Sequence, residues 1–438
     1  MVARFEKFWV LTLALLSVEA ASAASITKQV VRQQWPWDQK VRIDYRLECG
    51  LEERHAIDVA IADTDGNALT VLRNSFTGDL DDVACGDHTI FWDPSASGLS
   101  ELSAASYKFT LSPHTLIGPK YMILDISAGN GDDAVYTVSY SETDPMPASM
   151  TWQQKDTTAC VNTQIVLRRV EAGTYLMGSP ETEAGRSDTG SEKQHVVILT
   201  NDFYLAVLPT TVSQYNRVWN GTKPTNYYSS DQHPMQNFAW SDFRNHAVAT
   251  TEVGEGSWLD LLRKKTTGGA ALPAGYVFDI PTEAQWEYAC RAGTTTAWNN
   301  GADCATNAVG VDANLNLLGL YTPIGSGGSS AFGNVGQKLP NAWGLYDCHG
   351  NIGELTADGI DTSYTTAVIE PATGRSANLY CVVRGGCYVN AWAVHCRSAA
   401  RIMSNQYTSR NSAPADGVCW FWQTARFAFI RPRQNNRW

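Results

Sequence analysis

Past residue 18 the chain has no apolar run long enough to cross a bilayer, since a spanning helix needs about 20 such residues. Basic runs are missing too. Its 33 Lys and Arg face 44 Asp and Glu, for a formal charge of −11, and an acidic chain without basic clusters argues against nucleic acid as a partner. The single Arg-Gly-Gly at 384–386 is no RNA-binding repeat. No nucleophile-elbow motif recommends hydrolysis by a Ser-His-Asp arrangement. Cysteine is scarce before residue 150, where only Cys49 and Cys85 occur, so these two are the expected disulfide pair of an exported protein.

What is present begins with Arg4 and Lys7, an apolar stretch over residues 8–18, and Ala21-Ser22-Ala23. These are the charge, core and small-residue cleavage site of a secretory signal peptide over 1–23. The expectation is a secreted or periplasmic protein without a membrane span. Loss of the signal removes two basic and two acidic residues, so the net charge does not change.

Residues 24–142 read as one small antiparallel sandwich. "KVRIDYRL", "AIDVAIAD", "SYKFTLSP" and "AVYTVSY" alternate polar and apolar residues, with turn clusters such as "DTDGN" and "GNGDD" between them. That predicts an all-β, immunoglobulin-like spacer. "SETDPMPASM" marks a linker, placed at 143–164. From 165 to 432 the character changes to Gly-, Trp- and Asn-rich loops with few helices, and 433–438 is a tail. Thr211 and Gln214, and again Thr282 and Gln285, have capping-box spacing ahead of apolar helical faces. Ser257 is the expected cap of a third helix, "WLDLLRKK", whose basic end suits the helix dipole.

Six stretches in order resemble the formylglycine-generating enzyme, or sulfatase-modifying factor, family: "VEAGTYLMGSPETE" (170–183), "DFYLAVLPTTVSQY" (202–215), "HPMQNFAWSDFR" (233–244), "IPTEAQWEYACRAGT" (280–294), "PNAWGLYDCHGNIGEL" (340–355) and "VVRGGCYVNAWAVHCRSAAR" (382–401). The resemblance implies an α+β, C-type-lectin-like domain with little regular structure. It also implies structural calcium, with Asp347 and Glu354 as carboxylate ligands and Gly350 and Ile352 as carbonyl ligands. Mixed oxygen ligands in one tight turn suit that ion. A second family site would begin at Asn314 and the Leu315 carbonyl, but the stretch that follows, "NLLGLYTPIGSGGSSAFG", offers no Asp or Glu.

The family's enzymes hold copper(I) between two cysteines with four residues between them and oxidise a sulfatase cysteine with oxygen. Soft thiolates suit that ion. The matching positions here are Asn390 and either Ala393 or His395, so the copper pair is absent from its family positions. Cys387 and Cys396 lie nearby, with eight residues between them, and are the only weak catalytic candidates. "GNIGEL" stands where the family has "GN-x-WEW", and Arg426-Phe427-Ala428 where it has "GFR". The scaffold is kept while the oxidase chemistry looks lost.

Two readings follow. One is a binding or non-catalytic homologue for a protein or glycan ligand, and the other is an oxidase acting on a sulfatase. Trp420, Phe421 and Trp422, among Asn, Ser, Tyr and Arg, suit either an adaptable recognition surface or a strand that closes the core.

Overall fold

A computed structural model describes residues 24–33, 39–50, 53–97, 99, 103–147, 159–187, 191–221, 230–236, 240–244, 253–305, 311–321, 333–359, 368–369, 380–386, 393–405 and 423–431. Two small sheets form the N-terminal unit. One runs in the order Ser25–Gln33, Val41–Glu48, Gly86–Trp92, Phe76–Gly78, and the other Ala68–Leu69, His55–Asp63, Tyr107–Thr115. The alternation in "VRIDYRL" does what period two requires. Val41, Ile43, Tyr45 and Leu47 point inward and meet Ile57, Ile61, Phe109 and Leu111 of the facing sheet. Cys49 and Cys85 are disulfide-bonded, as expected.

Two strands from residues 24–142 lie in another sheet. Tyr121–Asp125 pairs antiparallel with Gln164–Val170, and Tyr136–Ser141 pairs with Tyr121–Asp125. Both belong to a seven-stranded sheet with Phe203–Ala206, Ala428–Ile430, Val277–Asp279 and Thr266–Gly269. "AVYTVSY" alternates as a sandwich strand would, but its buried Tyr136 and Val138 join the core of Tyr215, Trp258 and Phe427. Periodicity fixes which face is buried, not which sheet receives the strand. The stretch assigned to a linker also carries the short helix Ala159–Asn162 and the first residue of the strand that starts at Gln164.

The helices follow their caps. Val212–Val218 and Glu283–Arg291 each start with a complete capping box, from Thr211 with Gln214 and from Thr282 with Gln285. Trp258–Lys265 is capped by Ser257, which accepts from the Asp260 N–H. Trp258 is fully buried, stacked on Phe243 at 4.8 Å and on Tyr215 at 6.2 Å. Where regular elements are few, such aromatic stacks hold the loops. Two further sheets complete this part: Gly173–Met177, His195–Leu199, Val368–Ile369, and Ile402–Asn405, Tyr380–Arg384, Gly353–Gly359, Gln423–Thr424. No helix among the described residues is long and apolar enough to cross a membrane.

Charged bridges join the N-terminal unit to the rest. His114 Nδ1 lies 2.8 Å from Asp58 within the unit, and its Nε2 lies 3.4 Å from Asp202 beyond it. Hydrogen bonds to Asp202 and Asp58 raise the imidazole from 6.5 to about 10. A raised histidine stabilises the fold fully below the unfolded value of 6.5, and that contribution is lost as pH rises through about 10. The melting difference between wild type and His114→Gln is therefore expected to be largest below pH 6.5 and to vanish near pH 10. A difference that stays flat from pH 6 to 10 would refute the bridge.

Candidate functional site

The loop with most of the chemistry-bearing residues is described in two pieces, Tyr380–Arg384 with Gly385 and Gly386, and residues 393–401. The two pieces pack closely. A Cβ on Gly386, whose φ is +71°, would come within 2.6 Å of the His395 carbonyl oxygen and 2.7 Å of Cys396 Sγ. Only glycine fits there without displacement.

A buried ion network fixes the loop. Arg384 donates to Glu283 (2.8 Å) and Glu287 (2.8 Å), and also to the carbonyls of Ser398 (2.9 Å) and Ala400 (3.3 Å). Arg401 grips both oxygens of Glu283 at 2.6 and 2.9 Å, and Arg291 donates twice to Glu287 at 2.9 and 2.7 Å. Arg397 binds Glu192 (3.0 and 3.1 Å) and Glu183. Four arginines thus meet four glutamates, nearly all fully buried. Such a cluster is tolerable in low dielectric only when every charge is matched. The loop's three arginines, Arg384, Arg397 and Arg401, thus find their anions outside the loop. Glu283, Glu287 and Arg291, spaced i, i+4 and i+8 on one face of a buried helix, were the signal.

Of the two cysteines singled out in the sequence, Cys396 lies among the described residues. Cys396 sits at 0% exposure in an apolar cluster with Trp298, Leu315 and Cys304. Burial pushes its thiol up to about 12. Ala393 is buried in the same cluster. Burial holds the neighbouring His395 below its usual value. Cys387, Asn390 and the Trp420–Trp422 cluster lie outside the described residues.

A second buried group escaped the sequence reading. Cys290 Sγ lies 3.9 Å from His349 Nε2, 3.9 Å from the Cys348 carbonyl and 3.7 Å from Ser398 Oγ. His349 Nε2 accepts from the Asn299 N–H (3.2 Å) and its Nδ1 faces the Cys396 carbonyl (2.7 Å). That pattern requires the neutral, Nδ1-protonated tautomer.

The turn at 347–354 was read as a calcium site. Asp347 takes a positive φ of 55°, accepts the Gly336 N–H at 2.6 Å through Oδ2, and leaves Oδ1 buried without a partner. Burial raises its carboxyl to about 6. An orphaned buried oxygen of this kind fits a metal ligand. Glu354 does not. Arg426 donates to its two oxygens at 2.8 and 2.7 Å, and Trp286 Nε1 adds 2.6 Å. The same guanidinium also reaches the carbonyls of Tyr346, Ala206 and Val207. The Gly350 carbonyl accepts the Ile352 N–H at 2.8 Å. Asn314 is half-buried, and its Oδ1 accepts from Asn300 at 3.2 Å.

The mixed, strand-rich fold, the capped helices and the loop held by arginines describe a sulfatase-modifying-factor-like domain. The family model for the sulfatase-modifying factor enzyme 1-like domain matches residues 153–418, and the chain belongs to that family. It is 28% identical over 165 residues to the formylglycine-generating enzyme of Mus musculus, a match over 36% of this chain and 40% of that protein. The chain thus spans less than half the length of that relative. Among solved structures it is similar to PvdO from Pseudomonas aeruginosa, at 22% identity and TM-score 0.42, covering 60% of this chain and 94% of that one. It is also similar to Treponema denticola variable protein 1, at 20% identity and TM-score 0.42, covering 62% and 96%.

Proposed function

We propose that the chain is an exported, non-catalytic member of its family that binds a protein or glycan ligand. Its N-terminal unit serves as an immunoglobulin-like spacer that ends near residue 116. The state of Cys396 supports this reading most directly. Copper(I) is held by a pair of accessible thiolates, whereas Cys396 is fully buried in an apolar cluster and packed against Gly386. Asn390 and Ala393 or His395, at the family's copper positions, supply no sulfur. On the same reading Asp347 and the Gly350 and Ile352 carbonyls hold a structural calcium, while Glu354 is matched by Arg426. The ion would supply positive charge to the orphaned Asp347 oxygen. The competing reading, an oxidase acting on a sulfatase, is favoured by the match to the mouse formylglycine-generating enzyme.

The test incubates reduced, copper-loaded protein with a Cys-x-Pro-x-Arg peptide and oxygen, and follows the cysteine by mass spectrometry. No conversion to aldehyde is expected. Turnover lost in both Cys387→Ser and Cys396→Ser would establish the enzyme and a relocated copper pair.

A further inference from the structure

A cavity of 350 Å³ lies between the N-terminal unit and the family domain, lined from both sides. Its volume is in the range of small-molecule sites, which favour domain junctions. Tyr288 and Trp343 form part of the wall, edge to face at 5.1 Å. Tyr288 is held there by Gly173, because a Cβ at that position would overlap the Tyr288 hydroxyl. Trp343 is half-buried and presents surface to the space.

The cavity's charges are matched internally. Arg73 pairs with Asp81, and Arg291 with Glu287. A ligand is therefore not selected by net charge. Threonine hydroxyls lie on the lining at Thr77, Thr174, Thr294 and Thr295, that of Thr294 donating to the Arg291 carbonyl at 3.0 Å. Two sheet edges also border the space, since Phe76–Gly78 and Gly173–Met177 are each the last described strand of their sheet. An added peptide strand is disfavoured because the first of these edges is only three residues long, and short edges resist pairing.

Aromatic faces, planar polar groups and hydroxyls without net charge match a ligand with an apolar face and many hydroxyls. We propose that this cavity binds a short neutral saccharide of about one to three sugar units, the size such a volume admits. The apolar face of a pyranose ring would lie on Trp343, which the buried Tyr288 backs edge to face. Its hydroxyls would exchange hydrogen bonds with the threonines and with Arg73 and Asp81.

The full chain is titrated with maltotriose, cellotriose and chitotriose by tryptophan fluorescence and saturation-transfer NMR, alongside sialyllactose and a Thr-Val repeat hexapeptide. At least one neutral trisaccharide is expected to bind more tightly than sialyllactose. Trp343→Ala should weaken that binding at least tenfold. Thr295→Trp and Thr77→Trp, which fill the space from exposed lips, should do the same with an unchanged melting midpoint. These two variants decide the matter if Trp343→Ala does not fold. A response to none of the three neutral sugars, to the hexapeptide alone, or one unaffected by both lip variants would overturn the assignment.

Discussion

Glu287→Gln is expected to destabilise the protein by about 3–5 kcal/mol, the usual cost of removing one partner from a buried ion pair. For a domain of this size that is a melting shift of roughly 6–20 °C. Glu287 is the counterion of two guanidiniums, Arg384 at 2.8 Å and Arg291 at 2.7 Å, and also accepts the Gly178 N–H at 2.8 Å. Glutamine keeps the shape and loses the charge, which leaves Arg291 buried without its anion and Arg384 with Glu283 alone. Arg384→Met should cost less. Glu283 keeps Arg401 and Glu287 keeps Arg291, so only the Ser398 and Ala400 carbonyls lose their donor. Glu48→Gln, at an exposed pair with Arg46, should stay within about 0.5 kcal/mol.

The same network predicts acid sensitivity. Burial raises the Glu287 carboxyl, but Arg291 and Arg384 more than offset it and hold it below the usual 4.5. Glu283 is lowered in the same way by Arg401 and Arg384 against burial. As pH falls the unfolded chain takes up these protons first. The stabilisation is complete above about pH 4.5 and is lost as pH falls through the lowered values. Chemical denaturation at pH 7 and pH 4 reads both effects. A Glu287→Gln cost below about 1 kcal/mol at pH 7, less than breaking a buried pair requires, would mean that the network is strongly solvated.

What the sequence revealed and what it concealed divide by range. Caps are local, so Thr211, Ser257 and Thr282 were found from spacings of three residues and carry the bonds expected of them. Strand alternation is local too, and it identified the buried faces of Val41–Glu48 and Tyr136–Ser141 alike. The partner of the second strand was set by packing against Trp258 and Phe427, more than a hundred residues onward. The ion network is more distant still, since Arg397 meets Glu183 across 214 positions. No window along the chain brings these two together. The match of "RFA" to the family's "GFR" was visible as a departure, but its consequence appears only where Arg426 reaches Glu354.

That departure makes the calcium question decidable. A bound ion stabilises by RT ln(1 + [L]/Kd), about 2.7 kcal/mol at a hundredfold excess over Kd. Excess chelator is therefore expected to lower the wild-type melting temperature by several degrees. Asp347→Ala should remove that response, because it takes away the one carboxylate in the turn with a buried oxygen unclaimed by any donor. Arg426→Met gives the sharper test. Without the guanidinium, Glu354 keeps only Trp286 as a donor and lies buried as an uncompensated anion. In chelator this variant should lose about 3–5 kcal/mol. In calcium it should recover part of the loss, because the freed carboxylate and the Tyr346, Ala206 and Val207 carbonyls are oxygen donors of the kind calcium takes. Its chelator response should therefore exceed that of the wild type. If wild type, Asp347→Ala and Arg426→Met all melt independently of calcium, the turn holds no ion and Arg426 is the only cation that Glu354 meets.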